Sequence, residues 1–151
     1  MGKINLGRVV LGGLLAGVVL NVFEFVLNEP ILGEQWRAAM ESLGRTMPTG
    51  AGTIIGYVIW SFLLGIALVW FYAAMRPRFG PGPKTAVLTG LAVWFVVWFL
   101  GFGGTLLSGM FPGNLVVVTL IWEFFEVPIA TLAGAWLYKE EGAARATAPV
   151  M

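Results

Sequence analysis

Four apolar stretches, residues 5–27, 51–75, 85–107 and 115–138, constrain this chain more than any other feature. Each reaches the roughly 20 residues that a helix needs to cross the hydrocarbon of a bilayer. The expectation is an all-α fold: a four-transmembrane-helix bundle with a short extracytoplasmic amphipathic helix, forming one integral membrane domain over residues 1–151. A very apolar soluble domain is the competing reading. Only 11% of the residues are charged and 58% are hydrophobic, whereas about 25% are charged in a typical soluble domain. The first stretch shares a basic start and an apolar core with signal peptides. It lacks an Ala-x-Ala-like site and runs on into Asn21, Glu24 and Asn28, which favours a span.

Between the first two stretches, Leu32, Trp36, Met40 and Leu43 recur at helical steps while Glu34, Arg37 and Glu41 fall elsewhere. That spacing predicts an amphipathic helix over roughly 33–43, lying at the membrane interface with Trp36 as its anchor. Pro48-Thr49-Gly50 breaks the chain before the second span, and Gly80-Pro81-Gly82-Pro83 turns it before the third. Basic residues set the orientation. Lys3, Arg8, Arg76, Arg78, Lys84, Lys139 and Arg145 fall on one side and Arg37 and Arg45 on the other. The positive-inside rule then places both termini in the cytoplasm of a bacterium, in a multi-pass inner-membrane protein.

The fourth stretch carries the chemistry. Within Thr119-Leu-Ile-Trp-Glu-Phe-Phe-Glu-Val-Pro-Ile-Ala-Thr-Leu-Ala-Gly134 lie two carboxylates and a proline. Thr119, Glu123, Glu126, Ala130 and Gly134 share one helix face, as Gly13, Gly17, Asn21, Glu24 and Asn28 do in the first span. Small residues allow close helix approach, so spans one and four are expected to touch through these stripes. At a rise of about 1.5 Å per residue, Asn21 lies about 9 Å and Glu123 about 12 Å from the outer ends of their spans. Asn21 and Glu123 are thus expected nearly level. Glu24, about 5 Å deep on the same scale, sits closer to the interface. Tyr57 and Ser61 in span two, and Trp94, Trp98, Gly101 and Thr105 on one face of span three, converge on the same half. Pro128 deprives the Phe124 carbonyl of its helical partner, between the two acids in sequence.

No Lys, Arg or His lies within reach of these acids in any span, Arg8 being at the far end of the first. An ionised acid at mid-membrane costs upward of about 2.5 kcal/mol. Three arrangements relieve that cost: a proton shared with Asn21, Tyr57 or a second acid, a water-filled cavity, or a bound cation. The candidate ligand- or proton-binding residues are Glu123, Glu126, Asn21, Glu24, Tyr57 and Trp98. The competing reading makes the acids a polar clamp that fixes helix register. No catalytic residue and no metal site is expected, because Glu123 and Glu126 alone offer too few ligands. The chain has neither cysteine nor histidine and no phosphate-binding loop, so no cofactor is expected and an enzyme is least favoured. Expected partners are membrane lipids, a small amphiphile or cation, and a second copy of the chain. Nothing resembles a basic nucleic-acid-binding surface.

Three short segments, Pro30-Ile-Leu-Gly-Glu-Gln-Trp36, Trp94-Phe-Val-Val-Trp-Phe-Leu-Gly101 and Gly134-Ala-Trp-Leu137, resemble those of a bacterial family of small four-span membrane proteins known as a domain of unknown function. That resemblance implies a four-helix membrane fold and no activity. The chain is also similar, more faintly, to small multidrug transporters, whose first span bears a glutamate that binds protons or organic cations. In those it lies near mid-span, while here the deeper acids are in span four. On these grounds the expected function is binding of a small cationic or polar amphiphile in an outward-facing cleft. A proton-coupled transporter of organic cations and a membrane scaffold or accessory subunit are the alternatives.

Overall fold

The computed structural model describes residues 3–140 and is all-helical among them. Helix α1 spans Leu6–Val26 and continues without a break into a π-helical turn, Leu27–Ile31. The short helix α2 (Gly33–Ser42) follows, then α3 (Ala51–Phe79) and α4 (Pro83–Trp94). The last of these widens into a π-helical segment, Phe95–Phe102, and closes with a single turn, α5 (Thr105–Ser108). Helix α6 runs from Gly113 to Leu137. Four of these rods, Leu6–Ile31, Ala51–Phe79, Pro83–Ser108 and Gly113–Leu137, are long and apolar enough to cross a membrane. Arg145, counted above among the basic residues, lies outside the described residues.

Local chemistry sets the ends. The Asn5 side chain accepts a hydrogen bond from the Arg8 amide at 3.0 Å and caps the start of α1. Helix α3 outlasts its apolar run, carrying Arg76, Pro77 and Arg78 in its last turns, and stops at Gly80, whose φ of +82° suits a residue without Cβ. Pro83 then opens α4 in the first-turn position, where a missing N–H costs nothing.

Helix α1 packs between α3 and α6, and α6 packs on α1, α3 and α4. Half of the most apolar window of α6 is buried, against 17% for the α3 and α4 rods, so α6 is the central helix. Its buried face includes Thr119, Glu123, Glu126, Ala130 and Gly134.

At the end of the bundle that carries both termini, the helices meet through glycine, but not all in the expected pairs. Gly13 and Gly17 face α3: a Cβ on Gly13 would strike Ile66, one on Gly17 would strike Phe62, and one on Gly65 would strike the backbone of both glycines. The α1–α6 contact is made one residue earlier, by Gly12 and Ala16 against Gly134. A single step along a helix turns the side chain by about 100°, so Gly12 and Gly13 address different neighbours. Gly90 of α4 lies against the backbone of Pro128 in α6, where a Cβ would stand 2.6 Å from the Pro128 Cα.

The opposite end is looser. Residues 51–60 of α3 are exposed around the helix except for half-buried Thr53. Helix α2 caps this end through Trp36, whose ring lies 5.4 Å from that of Phe111 and 6.1 Å from that of Phe102. Asn114 donates to the Gln35 side chain at 3.2 Å. Trp36 therefore packs against the chain's own aromatic residues.

Candidate functional site

The bundle brings three acids together near its looser end. One carboxylate oxygen from each of Glu24, Glu123 and Glu126 lies within 4.8 Å of the others. Glu123 and Glu126 are buried, at 2% and 0% exposure, and Glu24 is half-buried. The Glu24 and Glu123 carboxyl groups are within hydrogen-bonding reach of each other.

The depth of Glu24 follows from the packing at the far end of the same helix pair. Starting at the Gly12–Gly134 contact, Glu24 is twelve residues along α1 and Glu123 is eleven residues back along antiparallel α6. Equal rise brings them level. The sequence expectation matched Asn21 with Glu123, an error of three residues or about 4.5 Å along the helix axis. It arose because depth was counted from the span ends, whereas the register of α1 on α6 is set by the Gly12–Gly134 contact.

Neutral donors surround the acids. The Asn28 amide donates to the Glu24 carboxylate and, at 3.0 Å, to the Glu24 backbone carbonyl. The Trp122 indole N–H donates to Glu126 Oε2 at 2.8 Å. Trp98 of the α4 rod reaches Glu123. Glu123 Oε2 and Glu126 Oε1 are buried with no hydrogen-bond partner. Among the described residues the one ion pair, Arg76–Glu140 at 3.6 Å, is at the termini end. The acids thus have donors but no cationic side chain beside them.

Both π-helical segments border this cluster. Leu27–Ile31 begins three residues after Glu24 and contains Asn28; Phe95–Phe102 contains Trp98. Inserted π turns are frequent at functional sites, because an i→i+5 bond shifts the helix face locally. The shift is visible in the α4 rod. Trp94 donates to the Leu120 carbonyl of α6 at 3.0 Å, and the contact passes to Gly103, beside Leu120, while Gly101 is exposed. The face expected through Trp94, Trp98, Gly101 and Thr105 is broken by the wider turn.

Of the six candidate residues, the structure gathers Glu24, Glu123, Glu126 and Trp98. Asn21 is turned toward α3, donating to the Gly17 carbonyl at 2.8 Å and to the Val58 carbonyl at 3.4 Å. Tyr57 is 67% exposed on the part of α3 that stands away from the bundle. Two residues at the cluster were not among the candidates. Asn28 was visible as the last member of the polar stripe in span one. Trp122 was visible as the residue four before Glu126, which on a helix puts the two side chains together.

Pro128 lies inside α6, which continues through it, and its backbone lies against Gly90. Two shallow apolar grooves run on the bundle surface. One is lined by Phe23, Val118, Ile121, Trp122 and Phe125, the other by residues including Asn21, Phe25 and Phe62. None of the three glutamates lines either groove.

No protein-family model, curated protein or solved structure matches the chain. What the site does therefore has to follow from its own geometry.

Proposed function

We propose that this chain is a multi-pass protein of a bacterial cytoplasmic membrane that binds a small cation, in exchange for protons, at Glu24, Glu123 and Glu126. The observation that carries this reading is the meeting of three carboxylates in an apolar bundle, without a basic partner among the described residues and with two of their buried oxygens left without a donor. Two unit charges 4 Å apart repel by about 4 kcal/mol at an effective dielectric of about 20. The cluster needs positive charge, and only protons or a cation can bring it. The two compete for the same oxygens, so cation binding strengthens as pH rises and each binding event releases protons. Calorimetry on the detergent-purified protein, repeated in buffers of different ionisation enthalpy, measures both. Absence of binding by any inorganic cation from mildly acidic to mildly alkaline pH overturns the proposal.

A second reading rests on the groove beside Trp122. The same indole that holds Glu126 also walls an apolar groove with Phe23 and Phe125. An amphiphilic organic cation would lay its apolar part there and reach the acids by displacing Trp122. Trp122→Ala enlarges that route, so tighter binding of a hydrophobic cation by this variant than by the wild type favours the second reading over the first. The clamp role has less support, because glycine contacts already join α1 to α3 and to α6.

Orientation is part of the proposal. Seven basic residues on the termini side and two on the α2 side put both termini in the cytoplasm. Reporter fusions after Met40, Gly80, Pro112 and Arg145 are expected to read outside, inside, outside and inside. An outside signal at Gly80 reverses the assignment.

A further inference from the structure

We propose that the ion held by Glu24, Glu123 and Glu126 is a hard divalent metal ion of the calcium and manganese class. This rests on the cation-binding reading above and narrows it. Two acids on one helix were too few for a metal site; the fold supplies Glu24 as the third. Every charged donor at the site is a carboxylate oxygen, and the chain contains no cysteine or histidine, so metals that prefer thiolate or imidazole find no ligand. Two oxygens on opposite sides of a calcium ion, each about 2.4 Å from it, are about 4.8 Å apart. The three carboxylate oxygens fall within that span.

The remaining contacts fit the same assignment. Trp122 holds Oε2 of Glu126 and leaves Oε1, buried and without a donor, for an ion. Glu123 Oε2 is equally without a donor, and Asn28 fixes the Glu24 carboxylate from its own helix. Carboxylate ligands are commonly oriented by hydrogen bonds of this kind. Charge also selects a divalent ion. Three ionised carboxylates around sodium or potassium leave two uncompensated charges in an apolar bundle. A divalent ion leaves one, so the cluster holds it with less uncompensated charge.

The test uses the full chain in detergent, stripped with a chelator and dialysed against radiolabelled calcium, then against manganese, magnesium, sodium and potassium. One divalent ion per chain is expected, lost on acidification, with a change in tryptophan fluorescence because the Trp122 indole is bonded to Glu126. Glu24→Gln and Glu123→Gln are each expected to weaken binding by more than about tenfold, and Trp122→Phe by about tenfold as a positioning residue. Glu29→Gln and Glu34→Gln, on exposed acids, leave it unchanged. If the Gln variants do not fold, Glu24→Asp keeps the charge but withdraws the oxygen by one methylene, and unchanged calcium affinity in that variant overturns the site. Binding of sodium or potassium with no divalent binding overturns the divalent assignment and leaves the cation reading standing. No cation bound at all removes both. Divalent binding that survives Glu24→Gln with Glu123→Gln in a folded chain puts the ion elsewhere.

Discussion

The two ends of the α1–α6 pair are built on opposite rules. Toward the termini, Gly12 and Gly134 bring the backbones together beside Ala16 and leave no room for a Cβ on either glycine. Toward α2, about three turns further along the same two helices, Glu24 and Glu123 stand between them with a third acid beside them. The first arrangement gains from dispersion and close packing, the main attractions left to helices whose surroundings are as apolar as they are. The second gives those up, placing groups that repel one another where apolar side chains would have packed. Cohesion at one end allows an unfavourable cluster at the other. Neighbouring helices repeat the division: α3 is locked to α1 at Gly65 and exposed around its first ten residues, and the α4 rod is locked to α6 at Gly90 and widens into a π helix beyond it.

The largest effect expected from this contrast is at Gly65. A side chain there meets the Gly13 carbonyl and the Gly17 amide, which are backbone and cannot turn aside. Gly65→Leu is expected to destabilise the bundle by about 3 kcal/mol through overpacking, read as a lowered Tm in detergent. In the same helix, Gly56 has nothing within 4 Å of the position of a Cβ. Gly56→Ala leaves Tm unchanged or raises it, because alanine is the better helix former by about 1 kcal/mol. Equal losses from Gly65→Leu and Gly56→Leu would break the contrast between the two ends.

Trp36 comes next. It is half-buried and holds α2 over the looser end through Phe102 and Phe111, so Trp36→Ala is expected to cost about 2 kcal/mol. Its indole N–H has no partner. Trp36→Phe therefore keeps most of the packing and removes an unsatisfied donor, costing less than about 1 kcal/mol. The effect of Trp36→Ala shows first as faster protease cleavage after Arg37 and Arg45, with global Tm moving less than for Gly65→Leu. A global loss as large as at Gly65 would mean that the α2 end is part of the core.

Arg76 gives a smaller effect at the termini end. Its guanidinium lies 5.8 Å from the ring centre of Tyr72 and 5.1 Å from that of Tyr138, and Tyr138 accepts a hydrogen bond from the Asn5 amide at 3.3 Å. Arg76→Gln is expected to cost about 1 kcal/mol, the usual size of a partly exposed cation–π contact. Because Tyr72 and Tyr138 still pack edge to face at 6.0 Å, adding Tyr138→Phe to Arg76→Gln is expected to cost only the hydrogen bond from the Asn5 amide, about 0.5 kcal/mol more. Thermal melts of the two variants check this.

Much of the fold could be read from the chain because bilayer thickness acts on composition. An apolar run of sufficient length has few alternatives, and the amphipathic repeat at Leu32, Trp36 and Met40 stands out against its charged neighbours. Which helix a face meets was less legible. Gly12, Gly13, Ala16 and Gly17 are all small, and a stripe through Gly13 and Gly17 was assigned to α6 although it faces α3. Pairing depends on how the helices are arranged, which small residues permit but do not specify. The candidate site was partly legible for the same reason. Acids in an apolar run are conspicuous, but the meeting of Glu24 with Glu123 depends on the register fixed at Gly12 and Gly134. The π turns that place Asn28 and Trp98 leave no periodic signature of their own.

The smallest expected change in stability is at Glu123, and it separates cohesion from chemistry. Glutamine has nearly the size of glutamate, and its amide offers one acceptor and two donors. In Glu123→Gln the amide can donate to Glu24, already within reach, so one carboxylate–carboxylate contact becomes a hydrogen bond without a change in shape. The packing at Gly12, Gly65 and Gly134 is untouched. Tm is therefore expected to stay within the equivalent of about 0.5 kcal/mol of the wild type, as for a substitution that makes no cavity and leaves no new buried group unpaired. Cation binding, in contrast, loses one of its three charged ligands and falls by more than about tenfold. The size of the glutamine effect on Tm thus measures what the acids contribute to holding helices together. A loss comparable to that of Gly65→Leu would mean that the α2 end is clamped by Glu123. The division between a cohesive end and a chemical end would then fail. Unchanged Tm with unchanged cation binding would remove Glu123 from the site while leaving the glycine-locked end as it stands.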